Sequence, residues 1–204
     1  EIDYISRTED IMHFDVEKRK EIIKKNMSEK RFVHSCNVAE MSAELADIWG
    51  YDVHTAYAAG LLHDICKEFP KEVQLEYVKN AEEEFDVSPQ ELAAYKVWHG
   101  IAGAYFLKTK YGIDDKNLLL AIRYHTVGRA EMSKLEEIVY VADMVSADRK
   151  MPCVPAIRSL AKENLELAVL EELRVCMTDT ISSGGSLPQC TVDAYNYYVK
   201  YLDK

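Results

Sequence analysis

"AYAAGLLHDICKEFP", residues 56–70, packs small and apolar residues densely enough to be covered on most sides, then sets His63 beside Asp64. A carboxylate in such surroundings is costly unless something positive compensates it. The segment reads as a helix over about 53–67, closed by Pro70. Adjacent helical residues project about 100° apart. A cation lying between those two directions would meet both side chains, and Asp64 could also reach toward a second ion.

Helical punctuation recurs on either side. Asp15 can cap a helix to about residue 28, and residues 31–49 form an apolar-periodic stretch that stops at Gly50, where a left-handed C-terminal cap suits glycine. Ser88 and Pro89 open a helix expected to run to Gly112. "DDKNLLLAIRYHT" predicts another from Asp114 that breaks near Gly128, and Ser133 with Glu136 has capping-box spacing ahead of "VYVADMVSADR". Two more helices are expected, at about 155–180 and 191–202, separated by the turn "SSGGSLP". Strand signals are scarce, and neither a repeat nor a low-complexity linker interrupts the pattern. The expectation is an all-α bundle: one helical domain over 1–204, with its core at about 31–150 and a C-terminal helical extension at about 151–204.

The 204 residues are 48% hydrophobic, enough for a proper core. A net charge of -10 argues against nonspecific binding to nucleic acid or acidic lipid. An anionic substrate would have to be drawn by local cations or by metal. The five cysteines are odd in number, widely spread and without a C-x-x-C, which argues against a disulfide framework or zinc knuckle and for the reducing cytoplasm. No apolar run approaches the ~18 residues of a membrane span, and no stretch has the form of a secretory leader. The expected protein is cytoplasmic, bound neither to membrane nor to nucleic acid.

His34, His63, His99 and His125 fall on four separate predicted helices with heavy apolar loads, and a fifth helix offers Asp143. His13 and His54 lie in polar or helix-entry surroundings and read as surface residues. Imidazoles and carboxylates together suit borderline divalent ions such as iron, manganese and zinc. Each residue alone has a plainer reading. A single buried histidine is more often a hydrogen-bonded core residue, Asp143 could pair with an arginine such as Arg123, and Asp64 could cap or pair. Their joint occurrence favours a metal centre, which also resolves the burial of Asp64. Arg31 lies three residues before His34 and Lys67 three after Asp64, placing each on a helix face with a candidate ligand. Arg149 follows Asp143 just past the expected helix end. From spacing alone, Lys67 and Arg149 serve equally well as ordinary surface charges.

The order His34, His63-Asp64, Asp143 resembles the HD superfamily of metal-dependent phosphohydrolases. "RFVHS", "AAGLLHDICKEFP", "VWHGIAGAYFLKTKYGI", "AIRYHTVGR" and "LEEIVYVADMVSADR", in this order, are similar to its YqeK-type branch of symmetrical bis(5'-nucleosyl)-tetraphosphatases, which split diadenosine tetraphosphate into two ADP. The resemblance runs from about Arg31 to "LPQCTVDAYNYY". It implies an all-helical fold and metal ligation, usually of iron, by His34, His63, Asp64 and Asp143. It implies that His99 and His125 face a second metal position or the substrate phosphates, and with Asp64 serve catalysis. It places Arg31, Lys67 and Arg149 on the polyphosphate and the backbone near Gly185 to Leu187 on the nucleotide. The chain departs from the branch at Ser146-Ala147-Asp148-Arg149, where Glu-Pro commonly precedes Asn and Arg.

Other readings use the same pocket for a deoxynucleotide or a cyclic nucleotide, or make it a non-catalytic nucleotide sensor. A helical scaffold with structural histidines is the plainest. The tyrosines of "YNYYVKYL", residues 195–202, serve as core, as a stacking surface for a base, or as an interface of a homodimer.

Overall fold

In the computed structural model, which describes residue 20 and residues 23–202, every regular element is helical. His13 and residues 15–19, 21 and 22 of the helix expected after Asp15 lie outside the described residues; residues 20, 23 and 24 are helical, and the chain turns at 25–27, short of the expected end near 28. Ser28 opens α1 (Glu29–Trp49), its hydroxyl accepting the Arg31 N–H, and Gly50 closes it at φ 67°. Asp52 caps α2 (Val53–Leu62) by accepting the Thr55 N–H at 2.6 Å. The two helices pack closely at Gly60. A Cβ built there would lie 2.5 Å from Ser42 Oγ and 2.9 Å from the Ala39 Cα, so this contact has no room for a side chain.

Residues 71–85, for which the sequence reading gives no helix, form α3 (Lys71–Asn80) and the single turn α4 (Glu82–Phe85). The helix expected over 88–112 is broken in two. A Ser88–Glu91 capping box begins α5 (Pro89–Ala93), a 3-10 turn spans Tyr95–Val97, and α6 runs over Trp98–Tyr111. The break is stabilised from outside the backbone pattern. The Trp98 indole N–H donates to the Glu91 and Leu92 carbonyls, at 2.9 and 3.2 Å, which a continuous helix would use internally.

Asp115 caps α7 (Lys116–Tyr124), and the Ser133–Glu136 capping box starts α8 (Lys134–Val145) as the spacing predicts. Helix α8 is buried on almost every side, from Leu135 to Val145, and packs against α1, α2 and α7. Such a helix marks the centre of the bundle.

The helix expected over 155–180 is also two, α9 (Val154–Glu163) and α10 (Leu165–Ser182). Asn164 separates them in an extended conformation, its side chain capping α10 by accepting the Leu167 N–H at 2.9 Å. The last helix, α11 (Gln189–Tyr198), ends in a 3-10 turn over Val199–Tyr201. Helices α9 and α10 also contact α8. Thr191 Oγ donates to the Val127 carbonyl at 2.8 Å, and the buried Tyr198 hydroxyl donates to Glu137 at 2.8 Å. The C-terminal helices are thus fastened to the loop that follows His125 and to the central helix.

Candidate metal centre

Helix α2 does not carry the His-Asp pair, contrary to the expected helix over 53–67; it ends at Leu62, and a run of tight turns follows. The physical cause is His63 itself. Its Nδ1–H donates to the Gly60 carbonyl at 2.6 Å, taking the acceptor that the next helical N–H would use. The chain then tightens into i→i−3 bonds, Ile65 N–H to Leu62 and Lys67 N–H to Asp64, at 3.1 and 2.9 Å. His125 repeats the arrangement. It is the first residue past α7, and its Nδ1–H donates to the Ile122 carbonyl at 2.7 Å. A ring whose Nδ1 carries the proton presents Nε2 as a bare lone pair, so both histidines offer an Nε2 that could bind a cation.

His34 reaches the same point from α1. Its Nε2 lies 3.0 Å from Asp143 Oδ1 and 3.9 Å from Asp64 Oδ2. His63 Nε2 lies 3.4 Å from Asp64 Oδ2 and 3.9 Å from Asp143 Oδ1. The other oxygen of Asp64 faces a second set. Asp64 Oδ1 lies 3.3 Å from His99 Nε2 and 3.6 Å from His125 Nε2, and those two nitrogens are 3.1 Å apart. Asp64 therefore joins two groups of donors, one oxygen to each.

These residues fit a divalent cation. Among the described residues, His34 Nε2, His63 Nε2 and Asp64 Oδ1 are buried polar atoms without a hydrogen-bond partner. Three overlapping triads have donor atoms within 4.8 Å of one another: His34, His63, Asp64; His63, His125, Asp143; and Asp64, His99, His125. Buried, convergent and unpaired lone pairs are what a cation satisfies.

The sequence profile of the HD domain matches residues 31–148, which span this whole cluster. The chain belongs to the HD domain family. Over 194 residues it is 33% identical to the symmetrical bis(5'-nucleosyl)-tetraphosphatase of Staphylococcus aureus, covering 93% of this chain and 97% of that one. It is 31% identical to the protein of the same name from Bacillus subtilis, over 87% of this chain and 94% of the relative. A crystal structure from Clostridium acetobutylicum, described as a predicted HD superfamily hydrolase involved in NAD metabolism, superposes with a TM-score of 0.86 at 34% identity. That likeness covers 92% of this chain and 98% of the other.

The three cations expected around the HD pair are close by. Arg31 Nη1 is 2.6 Å from Asp64 Oδ2, and Arg149 pairs with Asp143 Oδ1 while its Nε donates to the Asp143 carbonyl at 2.8 Å. Lys67 does not share a helix face with Asp64 as expected, because the chain is no longer helical there. Its ammonium instead reaches 3.1 Å from His99 Nε2. Arg123, considered above as a partner for Asp143, pairs with Glu91 at 2.6 Å. His54 is exposed, as read. Gly185 lies in an exposed loop with its N–H donating to the Thr180 carbonyl at 2.8 Å, and Leu187 is half-buried beyond it. Among the described hydrogen bonds, none joins either residue to the centre.

Burial raises the cost of ionising Asp64, yet His63, His125 and His99 around it hold its carboxyl well below the usual range. Asp143 behaves likewise: burial opposes ionisation, and the His34 contact with the His63 and Arg149 charges drives it far down. Both carboxylates are thus ionised and available to a cation. Burial pushes His63 down, but Asp64 and Asp143 outweigh it and raise it. His99 is driven well below its usual value, chiefly by burial, with Lys67 and the neighbouring histidines acting against the pull of Asp64.

Two participants escape the sequence reading. Thr126 Oγ lies 3.0 Å from both His99 Nε2 and His125 Nε2, and Asp148 Oδ2 accepts the His34 Nδ1–H at 2.9 Å. Adjacency to His125 is the only signal for the first. For the second it is the departure at 146–149.

Proposed function

We propose that this chain is a symmetrical bis(5'-nucleosyl)-tetraphosphatase, a phosphoric anhydride hydrolase that converts diadenosine tetraphosphate and water into two ADP. The observation that carries the reading is the Asp64 carboxylate shared between two donor sets, in a chain matched over most of its length by relatives of that name. His34, His63, Asp64 and Asp143 hold one divalent cation. His99 and His125, with the other Asp64 oxygen, face either a second cation or the substrate phosphates. The mixed imidazole and carboxylate donor set suits iron or manganese, and iron is our assignment. When bound, such a cation supplies Lewis-acid neutralisation of phosphate charge and lowers the pKa of water from ~15.7 toward ~7.

The protein's own part is to place and neutralise a polyanion. Arg31 and Arg149, each about a third exposed or less, stand between the buried carboxylates and solvent, positioned to donate to phosphate oxygens. Lys67, half-buried beside His99, adds a third cation at the second donor set. In the reaction, the water oxygen bonds to one of the two inner phosphorus atoms and the central P–O–P bridge breaks. The oxygen of the departing ADP keeps the electron pair, and the proton of water is released.

The test is to incubate the protein with iron(II) under reducing conditions, or with manganese, add diadenosine tetraphosphate and separate the products. ADP as the sole nucleotide product is expected. AMP together with ATP would mean cleavage at an outer bridge and refute symmetrical hydrolysis. No turnover with metal demonstrably bound would move the activity to another phosphate ester.

A further inference from the structure

We infer that Asp148, held in place by Ser146, is a positioning residue that fixes His34 as a metal ligand by accepting its Nδ1 proton. The inference rests on the assignment of His34 as a ligand in the proposed function. It answers a problem particular to His34. His63 and His125 sit at helix ends, where each can donate Nδ1–H to the backbone carbonyl three residues earlier. His34 lies within α1, where those carbonyls are taken by helix bonds. It is only 5% exposed, so water is a poor substitute. Without an acceptor at Nδ1, nothing would prevent the proton from moving to Nε2 and blanking the lone pair that faces Asp143 and Asp64.

Asp148 supplies that acceptor, with Oδ2 at 2.9 Å. Its other oxygen is occupied on two sides: Ser146 Oγ donates to Oδ1 at 2.9 Å, and Asn37 Nδ2 does so at 3.2 Å. Asn37 follows His34 by three residues on the same face of α1. The carboxylate is therefore gripped from α1 and from its own turn. Ser146 is fully buried at the end of α8, fixed where it can serve only a neighbour. Two positions of the stretch that departs from the resembled branch, Ser146 and Asp148, are thus bonded to each other. A charged acceptor also makes the imidazole a more basic ligand than a neutral one would.

The test uses the full chain stripped of metal, titrated with Co²⁺ against a competing chelator, and the visible absorption of the Co²⁺-loaded protein. Asp148→Ala is expected to weaken Co²⁺ binding by about 10–100-fold, the usual effect of losing such an outer partner, and to alter the absorption band. Asp148→Asn should weaken it less, because the amide oxygen still accepts the Nδ1 proton but carries no charge. The metal-free variants should still unfold cooperatively, Asp148→Ala at a somewhat lower temperature because the buried His34 and Ser146 donors lose their acceptor. Co²⁺ affinity within twofold of wild type in Asp148→Ala overturns the inference. Should that variant fail to fold, Asp148→Ser, whose hydroxyl is too short to reach the His34 Nδ1, replaces it, and unchanged Co²⁺ affinity there overturns the inference equally. His34→Ala separates the two levels: if it binds Co²⁺ as tightly as wild type, the ligand assignment fails, whereas if it alone loses the metal, only the role of Asp148 does.

Discussion

Removing Glu91 should damage this protein far more than removing any exposed acid. Its carboxylate meets Arg123 at 2.6 Å, and both side chains are 1–2% exposed. The same carboxylate accepts the Ser88 N–H and hydroxyl at 3.0 and 2.9 Å, completing the capping box of α5. Arg123 Nε has no hydrogen-bond partner among the described residues, so Glu91 provides the main compensation for a fully buried guanidinium. Breaking a buried pair from one side costs about 3–5 kcal/mol, and losing the Glu91 half of the box, which accepts from Ser88, about 1 kcal/mol more. Glu91→Ala should therefore lose about 4–6 kcal/mol, a large part of the 5–15 kcal/mol typical of a whole domain. The assay is urea unfolding at neutral pH, beside Lys162→Ala as a control. The Lys162–Glu44 pair is more than 40% exposed on both sides and should cost no more than about 1 kcal/mol. Glu91→Leu combined with Arg123→Met should recover most of the loss due to the pair, since no charge is then stranded. If Glu91→Ala costs no more than the control, the pair is not isolated from water and the reasoning fails. The site should feel the change too. Arg123 follows Ile122, whose carbonyl orients His125, and its own carbonyl lies 3.0 Å from where a Cβ on Gly100 would stand, beside His99.

Asp64→Ala removes the one carboxylate common to both donor sets and leaves Arg31 without its partner; it should abolish metal retention, read by elemental analysis. Turnover should fall by more than the about 10–100-fold typical of an outer partner, and activity above a tenth of wild type would refute the shared role. Glu172 is buried with Oε2 unpaired, and burial first, then Asp143, raises its carboxyl well above the usual range. The folded protein thus holds this proton longer than the unfolded chain, whose carboxyl titrates near ~4.3. Stability from this group is complete below that value and falls as pH rises toward the folded pKa. Relative to Glu172→Gln, the wild type should be progressively less stable from pH 5 to pH 8 in chelator; parallel curves would exclude it.

What the sequence makes legible is local. Gly50, the Ser88–Pro89 start and the Ser133–Glu136 box are read from nearest neighbours and stand where they are expected. The two broken helices are not legible in that way, for different reasons. At Asn164 the signal is local, an N-cap followed by apolar residues, but a continuous apolar period masks it. After Ala93 the signal is tertiary: Trp98 bonds carbonyls that helix propensity assigns to the backbone, and Glu91 is committed to an arginine on α7. Helix α3 buries only Gln74 and Val78, which gives the period little to show. In the site, the histidines and Asp143 are legible because they interrupt apolar runs. Asp148 interrupts nothing: it lies in a polar turn, and its importance depends on a contact with His34 across 114 residues.

The charge of the whole molecule and the charge of its centre pull in opposite senses, and distance decides between them. At -10 the chain repels a tetraphosphate in general, but at physiological salt that field fades over about 8 Å. Within the centre, the ionised carboxylates of Asp64, Asp143 and Asp148 are balanced by Arg31, Lys67 and Arg149 before any metal is counted. A bound divalent cation makes the region decidedly positive. The acidic exterior therefore costs encounter rate rather than binding strength, and the preference for a polyanion depends on metal occupancy. It is the His63–Asp64 turn, displaced from its helix by a single imidazole bond to Gly60, that brings this charge to one point.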